Sequence, residues 1–363
     1  MKNIKMEEFT MNKKLVSLLL TAVLSLGVLT GCSSKEESKE ADTNTEKVTA
    51  EAVDTKTVFV TPEWVQSVID GNQKESEKYV VGEVSWGTYK DSPSYTKGHI
   101  PGAIHINTDS VEEGPVWNLV SPEKMEKGIL DNGITKDTTV ILYGDDISAT
   151  SRVAFAYLWA GVDNVKVLNG GIKAWEKAGY KTETDVVEAK KAEDFGAKIP
   201  VHPEYQLSID DAKDKLENDD NFKLVSIRSK DEFLGKTSGY SYINKAAEPK
   251  GAVWGHAGTD PYNMNDYLNE DGTCINMDQM KKLWSDCDFT IDNELSFYCG
   301  TGWRACVPWL ICYENGITNA TVFDGGWNEW QMDDNNPVQV GDPASDDCVY
   351  TTVGELSNDK AAK

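Results

Sequence analysis

Two stretches of this chain can be laid on one another without a gap. "TTVILYGDDISATSRVAFAYLWAGVDNVKVLNGGIKAW" faces "NELSFYCGTGWRACVPWLICYENGITNATVFDGGWNEW". The offset is 298 − 143 = 155 residues, which pairs Tyr143 with Tyr298, Gly161 with Gly316 and Asn164 with Asn319. It also pairs Val167 with Val322, Gly170 and Gly171 with Gly325 and Gly326, and Trp175 with Trp330. A unit of this length repeated once is a duplicated domain, since solenoids need more and shorter repeats. At 363 residues the chain has room for about two domains.

Each copy reads as alternating strands and helices. An apolar strand (139–143; 295–298) runs into a loop, then a helix (152–160; 303–313), a second strand (165–168; 320–323) and a Gly-Gly helix start. Upstream, "EKYVVGEVSW" and "NFKLVSIRSK" are strands. Helices precede them in "TPEWVQSVIDG", with Thr61 as cap and Pro62 in the first turn, and in "SIDDAKDKLEN", capped by Ser208. Such alternation gives α/β domains, each a parallel sheet flanked by helices. The expected divisions are 56–182 and 206–345, a linker at 183–205 and a C-terminal tail at 346–363. In parallel sheets, ligands gather beyond the carboxyl ends of the strands.

The loop "CGTGWR" (299–304) lies at such an end and opens a helix. Gly300 and Gly302 allow a tight curl, so backbone N–H groups can turn inward, and Thr301 and Trp303 complete the curl. A thiolate at Cys299 would then be stabilised by those donors and by the helix dipole, as a nucleophile is. Arg304 adds a permanent charge able to hold an anion through paired hydrogen bonds. In the first copy, Gly144 stands where Cys299 does, so that half has no nucleophile.

Taken together these motifs resemble the rhodanese, or sulfurtransferase, family over residues 57–340. "YTKGHIPGAIHI" (95–106) and "VLNGGIKAW" resemble its domain signatures in the first half, and "CGTGWR" and "FDGGWNEW" its active-site loop and closing motif in the second. The resemblance implies tandem domains with only the second catalytic. It implies that Cys299 takes the outer sulfur of thiosulfate as a persulfide and hands it to a thiophilic acceptor, cyanide in an assay or a thiol in the cell. Arg304 would bind the donor's sulfonate, and Arg228, in "LVSIRSKDEF", would also bind donor. Two departures from the pattern are Ser226, where the family has an acid, and "EPKGAVWGHAG" (248–258), in place of a second GHIPGA motif. The Cys-x4-Arg spacing is one residue shorter than the Cys-x5-Arg ring of dual-specificity phosphatases of similar fold, and suits a sulfur better than a phosphate. The first four loop residues also match the mercaptopyruvate branch, so 3-mercaptopyruvate stays open as donor. From a different class, a noncatalytic sulfur- or anion-binding module also stays open.

The N-terminal "MNKKLVSLLLTAVLSLGVLTGCSS" has a basic start, an apolar run and "LTGC", the layout of a signal peptide ending in a bacterial lipobox. Cys32 is the expected lipid attachment point, with residues 1–31 removed and 32–55 a polar tether. Translation from Met11 instead of Met1 fits the same layout. The expected location is the outer face of the cell membrane. A net charge of −24 excludes a nucleic-acid partner. No Cys-x-x-Cys or His pair calls for a metal, and no organic cofactor is indicated. Cys306 and Cys312 read as core, while Cys274, Cys287 and Cys348 are candidates for a disulfide outside the cell. His99 and His105 read as structural, Trp327 and Trp330 as core, and His256 as either a pocket or a packing residue.

Overall fold

A computed structural model describes residues 50–362. Cys32, the expected signal segment and most of the expected tether lie outside the described residues. None of the described helices is long and apolar enough to cross a membrane.

The duplication is visible as two five-stranded parallel sheets of identical order. The first is built from β1 (Phe59–Val60), β2 (Tyr79–Ser85), β3 (Ile104–Asn107), β4 (Thr139–Tyr143) and β5 (Asn164–Leu168), in the order β1-β5-β4-β2-β3. The second uses β6 (Gln206–Leu207), β7 (Phe222–Ser226), β8 (Val253–Trp254), β9 (Glu294–Tyr298) and β10 (Ala320–Phe323), in the order β6-β10-β9-β7-β8. Registers correspond as well: Tyr143 lies beside Glu83, and Tyr298 beside Ser226. The central strands β4 and β9 are buried along most of their length, which is why they read as apolar runs without alternation. The expected caps are in place: Thr61 Oγ1 accepts the Trp64 N–H, and Ser208 Oγ accepts that of Asp211. The helices following β4 and β9 run Ile147–Ala160 and Cys306–Glu314, the first starting earlier and the second later than the pattern suggested. A turn at 303–305 leads into the latter, with Cys306 and Val307 donating to Trp303 O and Arg304 O.

The halves are not beads on a linker. The two helices face one another, with Phe155 and Trp309 edge to face at 4.8 Å, and one apolar core takes in both. The connecting segment 183–205 is strapped down, since Phe195 and Ile199 are buried and Val201 N–H bonds Ala160 O. The expected C-terminal tail is also structured. Val349–Thr352 pairs antiparallel with Pro337–Val340, and Lys360 and Ala362 donate to Asn244 O and Tyr240 O. Burying apolar area and satisfying backbone groups gives these polar-looking stretches a place that local composition does not announce. The six described cysteines are free thiols, so none of Cys274, Cys287, Cys306, Cys312 and Cys348 is bridged.

Candidate active site

Cys299 follows β9 at its carboxyl end and is fully buried. Its loop is shaped by where its carbonyls go. Cys299 O accepts from Trp327 N–H at 2.8 Å, and Gly300 O from Asn328 N–H at 2.9 Å. Gly302 O takes the Cys306 thiol at 3.2 Å, and Trp303 O takes the Cys306 N–H. In a trans peptide the C=O and N–H point opposite ways. Pinning these four carbonyls therefore turns the N–H groups of Gly300, Thr301, Trp303 and Arg304 away from those partners. Among the described residues, no protein acceptor takes these N–H groups. Buried N–H groups without a partner carry a desolvation penalty that an anion relieves.

The glycines are dictated by close approaches. Gly302 has φ +92°, and a Cβ there would stand 2.8 Å from Arg152 Nη1. At Gly300 a Cβ would run into the ring of Tyr240. The Gly-Gly pair brings the following helix up to the loop. Gly326, at φ +55°, packs so closely that a Cβ would be 2.8 Å from Gly300 O. Its equivalent Gly171 (φ +59°) lies against Gly144 O. At Gly144 itself a Cβ would collide with Val84 O. The first half thus lacks both a nucleophile and the room for one. The hollow at its strand ends, about 280 Å³, is lined in part by Tyr262–Asn265 of the second half.

The two arginines, both expected to bind donor, are placed differently from one another. Arg304 is buried and bidentate to Glu232, with Nη1 to Oε2 and Nη2 to Oε1 both at 2.9 Å. Nη2 also donates to the Tyr240 hydroxyl at 3.0 Å, leaving Nε without a partner. Arg304 still lines the pocket above the loop, but its charge is already matched. Arg228 is the clearer correction. Its guanidinium is wholly buried and bonds Glu232 (3.2 Å), Glu248 (2.6 Å), Ala247 O and Ser238 O (3.0 Å each). Four of its five N–H groups are taken and it does not line the pocket, so it acts as a strut beneath Glu232. The acid missing at Ser226 is thus supplied by Glu232 and Glu248. Burial alone would raise Glu232, but the Arg304 and Arg228 guanidiniums outweigh it and hold that carboxyl down at about 2. Burial pushes Glu248 up to about 7, and Tyr298 donates its hydroxyl to it.

Above the loop lies a pocket of about 510 Å³ walled by Trp86, Trp117, Trp303, Tyr240, Tyr242 and Tyr262. Its acids are Glu112 and Asp146. Trp303 is a pocket wall, and its Nε1–H donates to Glu112 Oε1 at 2.6 Å. Burial pushes Glu112 up to about 7 and raises Asp146. Burial likewise raises the Tyr240 hydroxyl, which accepts from Arg304 and keeps its own proton to give. Thr301 also lines the pocket. His256 lies against Trp254, tilted at 34° with ring centroids 3.8 Å apart, outside this pocket, so it packs. His99 stacks on Tyr95, and His105 is held by Glu83 Oε2 at 2.7 Å and Gly87 O at 3.0 Å, both structural roles. Cys306 and Cys312 are buried, which raises both thiols, and Cys306 also fixes the loop. Trp327 and Trp330 are core.

Sequence reasoning missed Glu232, Tyr240, Glu112, Arg152 and the aromatic wall. For Glu232 a signal existed, since it stands four residues after Arg228 and closes a capping box with Ser229. Glu112 and Arg152 come from the half without a nucleophile, and nothing local marks them. Among the described residues no group of His, Cys, Asp and Glu could hold a metal ion.

Against known proteins, the model of the rhodanese-like domain matches residues 72–178 and 208–333. The thiosulfate sulfurtransferase YnjE of Escherichia coli (strain K12) is 43% identical over 292 residues, 79% of this chain and 66% of that protein. The chain thus spans just under two thirds of that relative's length. The crystal structure of YnjE superposes with a TM-score of 0.74 at 42% identity, covering 78% of this chain and 68% of that one. The wild-type structure of EanB superposes at 0.75 with 34% identity, covering 80% and 70%.

Proposed function

This chain belongs to the rhodanese-like family and carries the domain twice; from that premise we propose that it is a sulfurtransferase working through a persulfide on Cys299, with thiosulfate as donor. The observation that carries the reading is the set of unpartnered N–H groups in the loop that follows Cys299, fixed by four pinned carbonyls. In the first step the Cys299 thiolate attacks the outer sulfur of thiosulfate. The S–S bond to the sulfonate breaks, its electron pair leaves with sulfite, and Cys299–S–S⁻ remains. The N–H row stabilises that anion in a water-poor site, where preorganised donors count most. In the second step an acceptor nucleophile takes the outer sulfur, and the electron pair of the S–S bond returns to Cys299 as thiolate. With Arg304 committed to Glu232, its role here is to fix Tyr240 and the loop and to bias the local potential. The donor's sulfonate is left to the loop N–H groups and the unpartnered Arg304 Nε. The match of the loop to the mercaptopyruvate branch makes 3-mercaptopyruvate the second donor to test.

EanB supports the persulfide placement. It has been solved with a cysteine persulfide and ergothioneine, and as variants at a tyrosine 59 residues before that cysteine and a threonine two residues after it. Tyr240 and Thr301 stand 299 − 240 = 59 before and 301 − 299 = 2 after Cys299. EanB has also been solved with hercynine. The aromatic wall with two acids favours a second reading for the acceptor, a ring-bearing or cationic molecule of that kind in place of a small thiol.

The test is intact mass after brief thiosulfate treatment of the reduced protein. A gain of one sulfur (about 32 Da by atomic mass) in the wild type but not in Cys299→Ser, removed by cyanide, is the expected result. No gain with thiosulfate or 3-mercaptopyruvate defeats the sulfurtransferase reading and leaves an anion-binding module. Loss of the loaded sulfur to cyanide, a thiol and hercynine, compared side by side, decides the acceptor. Export and lipid attachment at Cys32 belong to the same proposal. Incorporation of labelled palmitate that vanishes in Cys32→Ser would bear it out, and equal labelling would refute it.

A further inference from the structure

The half without a nucleophile reaches into the catalytic loop. Arg152, in the helix Ile147–Ala160, is fully buried. Its Nε donates to Glu112 Oε2 at 3.0 Å, its Nη1 to Asp324 Oδ1, and its Nη2 to Trp117 O at 3.0 Å. Glu112 belongs to a short hairpin (Glu112–Glu113 with Asn118–Leu119) of the first half. Asp324 belongs to the second half and immediately precedes the Gly-Gly pair. Each ion touches the loop or what holds it. Glu112 takes the Trp303 indole N–H at 2.6 Å, and Gly302 lies directly on the Arg152 guanidinium. Asp324 leads into the turn whose N–H groups pin Cys299 O and Gly300 O, and its Oδ2 accepts from Leu119 N–H at 2.7 Å in the same hairpin. Asn328 ties that hairpin from the other side, through Pro115 O and Val116 O at 3.1 Å each.

Buried ion clusters add little net stability over well-packed apolar groups, because desolvation offsets most of the attraction. What they do supply is geometry, since each partner has one satisfactory arrangement. We propose that Glu112 and Arg152 are positioning residues for the reaction at Cys299, holding Trp303 and Gly302 so that the N–H row faces the sulfur. The first half is then a working part of the active site and sets one wall of its pocket through Trp117. The inference rests on the sulfurtransferase reading for its activity readout only.

The experiment compares Trp303→Phe, Glu112→Gln, their double variant and Arg152→Lys with wild type. Trp303→Phe removes the indole N–H together with part of the ring that walls the pocket, and Glu112→Gln keeps the side-chain size. Three quantities are read: the rate of sulfur loading by mass with donor varied, the melting midpoint, and the alkylation rate of Cys299 by iodoacetamide in its own peptide. A small misplacement of reacting groups costs up to about 100-fold. The expected result is loading slowed about tenfold in each single variant. That loss falls in kcat, with little change in donor KM. The double variant is no slower than the slower single, because the glutamine keeps its oxygen on the Arg152 guanidinium and turns its N–H2 to the indole, so both changes cut the same bond. Arg152→Lys retains a charge without the fork and loads between wild type and Glu112→Gln. Wild-type loading in Trp303→Phe and Glu112→Gln, with or without a lower melting midpoint, would overturn the proposal and leave the cluster a stability element. Should the wild type itself load no sulfur, the sulfurtransferase reading fails, and alkylation then decides. Wild-type alkylation rates in the folded variants would overturn the positioning role, and altered rates would sustain it.

Discussion

Glu232→Gln is the substitution whose cost can be worked most directly from the structure. Glu232 is buried and accepts from both Arg304 nitrogens, from Arg228 Nε and from Ser229 N–H. Its carboxyl is moved from an ordinary 4.5 to about 2, burial being outweighed by the two arginines. A difference of about 2.5 units at about 1.4 kcal/mol each is about 3 kcal/mol at neutral pH. Breaking a buried ion pair by removing one partner costs about 3–5 kcal/mol, which agrees. Glutamine also turns an N–H2 toward a guanidinium, so one bond is lost and a donor faces donors. The folded value is depressed, so the stabilisation is present above the unfolded value of 4.5 and is lost as pH falls toward 2. At pH 3 the gap between variant and wild type should shrink to about 1 kcal/mol. Urea unfolding of both proteins at pH 7 and pH 3, with sulfur loading at pH 7, measures this. Loading should fall with stability, because Arg304 and Tyr240 lose their anchor. A penalty below about 1 kcal/mol at pH 7, or one independent of pH, would refute the claim that Glu232 is the ionised hub of the site.

Gly144→Cys should not create a second loading site. Its Cβ meets Val84 O, so the variant should still gain one sulfur by mass and lose about 1–3 kcal/mol of stability in urea. Tyr240→Phe removes the acceptor of an Arg304 hydrogen bond, and a bond to a charged group is worth about 1.5–3 kcal/mol. Sulfur turnover should drop about tenfold or more while circular dichroism stays unchanged. At His105, burial lowers the pKa, but the bonds to Glu83 and Gly87 O win and raise it. Its stabilisation is therefore complete below the unfolded value of 6.5 and is lost as pH rises through the folded one. The unfolding free energy of wild type should exceed that of His105→Asn by more at pH 6 than at pH 9.

The repeat, the two sheets and the tight loop after Cys299 were legible because they rest on local rules. Buried central strands must be apolar, caps must be Thr61 and Ser208, and a loop bent onto Tyr240 and Arg152 must have glycine at 300 and 302. The Gly144–Cys299 correspondence was likewise a matter of counting. What the loop faces was not legible in this way. Arg304 and Arg228 looked like free cations because sequence shows a charge without its partner. Only the fold brings Glu232 and Glu248 to them and turns one into a clamp and the other into a strut. The polar stretch 183–205 and the segment after 345 looked loose for a similar reason. Their hydrogen bonds run to Ala160, Asn244 and Tyr240, far away in the chain.

The sequence by itself determined that this chain builds the same α/β unit twice and that a cysteine stands at one strand end where its copy has glycine. Periodicity, capping and glycine placement are short-range and can be read in order along the chain. Tertiary structure alone decided that the copy without the cysteine belongs to the same site. Glu112 and Arg152 lie 191 and 150 residues before Trp303 and Gly302 (303 − 112; 302 − 152), and meet the loop only because the two halves share one core. The partners of a buried charge are set by desolvation and packing across that core, not by neighbours in sequence.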